Sequence, residues 1–357
     1  MADIQINGSR HWDMIVKEEK LYERILAGGS LALGEAYMDG WWEVKQLDEF
    51  FSKGLMAELD KKIVSPSLLL HIAKSKIINA QNKKRSKKVA QQHYDLGNAF
   101  YAAMLDKRMQ YTCGYWKDTD NLEQAQEQKL DLVCKKIGLT SKDSVLELGC
   151  GWGGFAKYAA EKYGCHVTGY NISQEQVKYA KENCQGLPVE FIKADYREAT
   201  GKFDKIVSIG LCEHIGYKNF DNFMQLTHKC LKDQGLFLLH TIGGLKSVTT
   251  TDPWIEKYIF PNSMLPSVKQ LAGAAEGFFV IEDFHNFGTD YDKTLMAWDE
   301  NFEANWSKYK EQYGERFYKM WKYYLLSCAG SFRARKNQLW QFVLCKGGVP
   351  GGYKSLR

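Results

Sequence analysis

From residue 12 to residue 80 apolar side chains recur at three- and four-residue spacing, in WDMIVKEEKLYERIL, LGEAYMDGWWE and LDEFFSKGLMAELDKKI. That is the period of helices that bury one face. Gly28 and Gly29 break the first helix, and Asp39 and Gly40 turn the chain ahead of Trp41 and Trp42. Ser65 and Pro66 open a further helix, SPSLLLHIAKSKIINAQ, with the proline in its first turn. KKRSKK (83–88) follows, and a domain boundary is expected at about residue 85.

From about residue 120 the pattern changes. LEQAQEQKLDLVCKKIGL reads as a helix, SVLELGCG as a short apolar strand running into glycines, GGFAKYAAEKYG as a helix and CHVTGYNIS as a strand. QEQVKYAKENCQG (helix), VEFIKADY and FDKIVSIGL (strands), FDNFMQLTHKCLKDQG (helix) and LFLLHTIG (strand) continue the alternation. Helices of this length between strands predict a parallel sheet covered on both faces, a Rossmann-like α/β domain that binds ligands at the C-terminal strand ends.

Composition bounds the function classes. The chain has 357 residues, 45% hydrophobic and 25% charged, with a mean hydropathy of −0.42, and no stretch approaches the ~20 apolar residues of a membrane span. The first residues, MADIQINGSRHW, hold no apolar core of a signal peptide, so export is not expected. Nine scattered cysteines without a C-x-x-C pair argue against a disulfide framework and a zinc ribbon, so no metal is expected and a reducing cytoplasm is. Net charge is +5, yet residues 61–94 hold nine Lys/Arg and no acid, leaving the rest mildly acidic. This basic run reads as a solvated face, a nucleic-acid contact or an attachment to anionic lipid.

The segment Glu147-Leu-Gly149-Cys-Gly151-Trp-Gly153-Gly154 follows the first strand and opens a helix. Small residues there let the backbone approach a ligand, and the helix start offers free N–H groups. Gly149, Gly151 and Gly154 also satisfy the dinucleotide pattern. Glu147 tilts the reading, as in methyltransferases that bind S-adenosylmethionine: a carboxylate suits that ligand's cationic methionyl part and would repel a pyrophosphate. The second strand lacks the usual terminal acid and ends in Asn171, with Gln174 and Gln176 following. Asp195, Tyr196 and Arg197 after the third strand supply polar groups for an adenine.

Further segments carry a resemblance: LGEAYMDGWWE, HYDLGNAFY, MQYTCGYWKD, IVSIGLCEHIGYKNF, DPWIEKYIFPNSMLPS, HNFGTDYDKTLMAW and CAGSFRARKNQLWQ. With VLELGCGWGG they make the chain resemble the bacterial cyclopropane-fatty-acyl-phospholipid synthases, methyltransferases related to the mycolic-acid cyclopropane synthases. The resemblance implies a class I methyltransferase sheet over residues 86–357 and a smaller all-helical domain over 1–85 for membrane and dimer contact. Residues 246–267 and 285–335 would cover the substrate. The implied reaction adds the methyl group of S-adenosylmethionine to a cis double bond of a phospholipid acyl chain and closes a cyclopropane ring after proton loss. An alkene is a weak nucleophile, so a dry, aromatic-rich site that shelters a carbocation is expected.

The resemblance also implies a bound bicarbonate as base, held by the backbone N–H of Cys113 and Ile242 and by Glu213, His240 and Tyr291. Cofactor contacts would be Tyr111, Thr112, Gly149, Gly151, Asn171, Gln176, Tyr196 and Arg197, beside Glu147. Cys328 matches a cysteine proposed as catalytic, although a cysteine in an apolar helical run is ordinarily inert. Implied partners are unsaturated phospholipids and a second copy of the chain, not nucleic acid, at the inner face of the cell membrane. Glu213 as a helix cap and His240 as a packed strand-end side chain stay open, as do methyl branching, a small soluble acceptor and a non-catalytic binding role.

Overall fold

A computed structural model describes residues 2–62, 81 and 96–357. The alternation after residue 120 is realised as a seven-stranded sheet. Its strands are β3 (Ser144–Leu148), β4 (His166–Asn171), β5 (Val189–Lys193), β6 (Phe203–Ile209), β7 (Leu231–Gly244), β8 (Val280–Asn286) and β9 (Asn337–Cys345), in the order β5-β4-β3-β6-β7-β9-β8. β3 to β7 are parallel, whereas β9 runs antiparallel to both β7 and β8. The chain leaves β3 toward β4 and returns to β6 on its other side, which places the switch point, and the expected ligand crevice, at the C-terminal ends of β3 and β6.

Period-two alternation assigns the core. Val145, Val207, Leu238 and Val343 face one apolar cluster, with Leu130 and Val133 of helix α5 (Leu122–Lys136) and Phe155 of α6 (Gly154–Tyr163). Leu146, Ile206, Phe237, Leu239, Phe342 and Leu344 face the other, with Phe223 of α8 (Phe220–Cys230) and Leu271 of α10 (Val268–Ala275). Helix α7 (Gln174–Asn183) follows β4 and is capped by Ser173, whose hydroxyl accepts from the Gln176 N–H.

The N-terminal part departs from the helical reading at its start. Residues 12–20 are not helical, because the buried Asp13 carboxylate accepts from the Gln5 and Arg10 N–H groups and from the Arg10 guanidinium at 2.8–3.0 Å. This knot diverts the chain into β1 (Ile15–Val16), antiparallel to β2 (Trp42–Glu43), so the segment is not all-helical. Helix α1 (Leu21–Met38) starts later than the pattern suggests and continues through the glycine pair, with a kink at Gly29 (φ 60°, ψ −138°). The helix proposed from Ser65 and the KKRSKK run lie outside the described residues.

One aromatic core joins this part to helices late in the chain. Leu21, Ala36, Trp42 and Leu47 pack in one cluster with Phe100 of α4 (Asn98–Met104), Trp298 of α11 (Thr289–Asn305), and Trp321 and Leu325 of α12 (Lys310–Arg333). Arg333 clamps it by donating to Asp292, and to Asp48 and Glu49 of α2 (Leu47–Met56). Where α1 crosses α9 (Pro253–Tyr258), a Cβ on Gly34 would fall inside van der Waals contact of the buried Trp254 ring. Gly34→Ala is therefore expected to cost about 1–3 kcal/mol by overpacking, read as a lower Tm in thermal unfolding. The cover expected from residue 285 begins later, because His285 and Asn286 are still part of β8.

Candidate active site

A cavity of about 1430 Å³ opens at the switch point and extends between the sheet and the helices α1, α2 and α12. Its floor is the glycine loop. Gly149 and Cys150 donate their N–H groups to Tyr170 O (2.9 and 3.2 Å), which pins the loop to β4. Gly151 has φ +50°, and a Cβ there would meet nothing within 4 Å, so its open side faces the cavity. Gly154 serves packing instead, because a Cβ there would collide with Arg108 O and the Gln110 amide.

The ends of β6 and β7 bring two titratable side chains to the cavity. Glu213 stands in the turn after β6, and its Oε1 accepts from the Ile242 N–H at 2.6 Å. Its other oxygen is buried without a partner among the described residues, and burial raises the carboxyl to about 7. His240 on β7 points into the same cavity, and its Nε2 is also buried and unpartnered among the described residues. Burial, and next the positive charges of Lys129 and Lys136, hold the ring well below its usual pKa, so it is neutral. The Ile242 N–H assigned by resemblance to an anion is thus engaged by Glu213.

Of the other expected residues, Tyr111, Thr112, Glu147, Gly149, Gly151, Gln176, Tyr291 and Cys328 line this cavity, whereas Cys113, Asn171, Tyr196 and Arg197 do not. Asn171 supports the floor: its side-chain amide donates to Gly151 O (3.0 Å) and to Gln176 Oε1 (2.9 Å). Arg197 forms a two-point pair with Asp195, donating at 2.7 Å to each oxygen. Cys113 is fully buried behind the wall. Cys328 lies on α12, and burial pushes its thiol up to about 12, which leaves little thiolate for attack. His214 also lines the cavity and is neutral, lowered to about 4 by burial.

Glu147 and Gln176 test the cofactor fit. Glu147 Oε2 and Gln176 Nε2 are buried without partners among the described residues, and both side chains line the cavity beside the Gly151 opening. Burial raises Glu147 to about 8, opposed by the charge of Lys129. A cationic ligand with acceptor groups would meet both needs, as S-adenosylmethionine does.

Sequence reading overlooked Lys129. Its ammonium, 0% exposed, donates to Gln110 Oε1 (2.7 Å) and Thr112 Oγ1 (2.8 Å), while the Gln126 amide donates to Thr112 O (2.8 Å). Helix α5 thereby holds the loop that carries Tyr111 and Thr112. The signal was present: Gln126, Lys129 and Lys136 occupy positions that the helical period assigns to the buried face, with Leu130 and Val133.

Comparison with known proteins finds similar sequences and similar folds. The model of the family described as mycolic acid cyclopropane synthetase matches residues 81–342. The cyclopropane-fatty-acyl-phospholipid synthase of Escherichia coli K12 is 52% identical over 357 residues, all of this chain and 93% of that one. Among solved structures, the cyclopropane synthase MmaA2 from Mycobacterium tuberculosis aligns with a TM-score of 0.69 at 28% identity, covering 73% of this chain and 98% of that one. The mycolic acid cyclopropane synthase CmaA1, complexed with SAH and CTAB, aligns with a TM-score of 0.68 at 31% identity, covering 73% and 98%.

Proposed function

Because the chain belongs to the mycolic acid cyclopropane synthetase family, we propose that it converts cis double bonds of phospholipid acyl chains into cyclopropane rings with the methyl group of S-adenosylmethionine. One observation carries the reading: a single cavity contains the glycine loop with Glu147, the Glu213–His240 pair, and a long apolar extension between aromatic helices. When bound, S-adenosylmethionine supplies an electrophilic methyl group. Glu147 and Gln176 hold it against the loop. The rings of Tyr111, Phe260, Tyr291 and Tyr324, all on the cavity wall, keep water out and stabilise positive charge on the acyl chain without offering an alkylatable amine or thiolate. Glu213 and His240 hold the group that takes the proton, a bicarbonate ion in this reading.

The remaining parts of the reading are a peripheral membrane protein of the cytoplasm, a homodimer, and a division near residue 85. Membrane contact is supported by the cavity rim, where Leu26 is 69% and Leu245 73% exposed beside Ile6, Tyr22 and Val248. An acyl chain entering from a bilayer meets apolar surface from the rim inward. No helix among the described residues is long and apolar enough to cross a membrane. Of the basic run, residues 63–80 and 82–94 lie outside the described residues.

Incubation with S-adenosylmethionine and vesicles of unsaturated phospholipid, followed by fatty-acid mass analysis, tests the activity. The expected product gains one CH₂ and resists hydrogenation of double bonds. A product with two further hydrogens would assign methyl branching, and unchanged fatty acids would sink the proposal.

A further inference from the structure

Gln341, in the middle of β9, plays no part in the site as described so far, yet it is 0% exposed and polar. The antiparallel register sets it directly opposite His240 on β7 and His285 on β8, so the three side chains stand in a row on one face of the sheet. Its side-chain nitrogen lies 3.2 Å from His240 Nδ1. At the far end of the row Lys136 Nζ lies 3.1 Å from His285 Nδ1. An ammonium can only donate, so His285 Nδ1 accepts and that ring carries its proton on Nε2. The lysine end of the row therefore donates into it, whereas Gln341 Oε1 is buried without a hydrogen-bond partner among the described residues, so the strand register and not a continuous hydrogen-bond chain sets Gln341 beside His240. With the amide nitrogen toward His240 Nδ1, the amide donates and the ring nitrogen accepts.

We propose that Gln341 is a positioning residue: its amide donates to His240 Nδ1, keeps the ring proton on Nε2, and makes His240 a hydrogen-bond donor into the cavity instead of the base. The inference rests on the site assignment above, but the tautomer itself does not depend on the reaction. Phe287 lies edge-on to the His240 ring at 5.9 Å and limits its rotation. The charged and titratable groups around that ring are Lys129 and Lys136 from α5 and His285 from β8, with Glu213 on the same cavity wall. The cations disfavour an imidazolium. A neutral ring protonated at Nε2 cannot accept a proton there. It can hold an anion or a carbonyl oxygen, and it leaves Glu213 Oε2 as the acceptor on that wall.

The test reads the ring directly. Protein labelled with ¹⁵N at histidine is recorded without ligands, and the His240 signals are assigned with His240→Asn and by their movement in Gln341→Met. The expected spectrum shows a bare Nδ1 and a protonated Nε2, unchanged between pH 6 and 8. In Gln341→Glu a carboxylate requires a proton on Nδ1, so the tautomer should invert. Turnover on phospholipid vesicles should fall on the order of 100-fold, with KM and S-adenosylmethionine affinity unchanged. In Gln341→Met both tautomers should appear, and turnover should fall about tenfold. Wild-type His240 protonated on Nδ1 would overturn the proposal, and so would full turnover by a Gln341→Glu protein with an inverted ring. If instead the spectrum is as expected and no cyclopropane forms, the assigned reaction fails and the tautomer stands.

Discussion

Gly151→Val is expected to abolish S-adenosylmethionine binding while the protein stays folded. In the free protein a Cβ at this position meets nothing within 4 Å, so the added methyl groups project only into the cavity that the loop lines. The backbone is held at φ +50°, where a β-branched residue costs about 1–2 kcal/mol. That local strain is small against the stability of a domain, but it compounds the loss of close backbone approach. Together they should weaken the dissociation constant at least ~100-fold, on the order of 3 kcal/mol. Gly154→Ala provides the contrast. Its Cβ would strike Arg108 O, so its damage should appear as a lower Tm. Calorimetry with S-adenosylmethionine, paired with thermal unfolding, separates the two. A folded Gly151→Val protein with wild-type affinity would remove the glycine loop from the cofactor site.

Glu213→Gln is expected to lower kcat on the order of 10²–10³-fold with little change in S-adenosylmethionine affinity. The amide keeps the shape and one contact to the Ile242 N–H, but it cannot carry the charge or accept at both oxygens. A group used only in the chemical step lowers kcat and kcat/KM together. The pH profile carries the sign. Burial raises Glu213 to about 7, so the carboxyl is protonated below that value and ionised above it. If the carboxylate is the working form, wild-type turnover rises with pH through about 7, and this limb is absent from Glu213→Gln. His240, held neutral, adds no limb of its own. If bicarbonate takes the proton, carbonate-depleted buffer slows the wild type, and added bicarbonate restores it. A wild-type rate that ignores bicarbonate would mean that Glu213 takes the proton itself.

Each part of the site was legible from sequence to the extent that it depended on neighbours along the chain. Glu147, Gly149 and Gly151 were readable because strand, turn and helix start follow one another within ten residues. Glu213 and His240 entered through the resemblance, and the strand ends on which they stand were readable because ligands bind there in parallel sheets. Lys129 and Gln341 were not, because each reads locally as an error of patterning, a polar side chain on a face that should be apolar. Only its distant partner explains it: Thr112 for Lys129, and His240 for Gln341. The helical period before Leu21 misled for the reverse reason. One buried carboxylate, Asp13, gathers donors from Gln5 and Arg10 and outweighs a few tenths of a kcal/mol per residue of helix preference.

Between residues 120 and 244 the periodicities settled the alternation of helix and strand and the parallel part of the sheet, because each follows from spacings of two to four residues that recur within one segment. The tertiary structure alone decided what the cavity is. It brought α1, α2 and α12 together into one aromatic core, placed β9 between β7 and β8, and so stood Gln341 beside His240. Cys113, Asn171, Tyr196 and Arg197 are not among the residues that line that cavity. Asp195 and Arg197 pair within one turn of the chain, but Gln341 and His240 stand 101 positions apart, and no local pattern encodes a pairing at that distance.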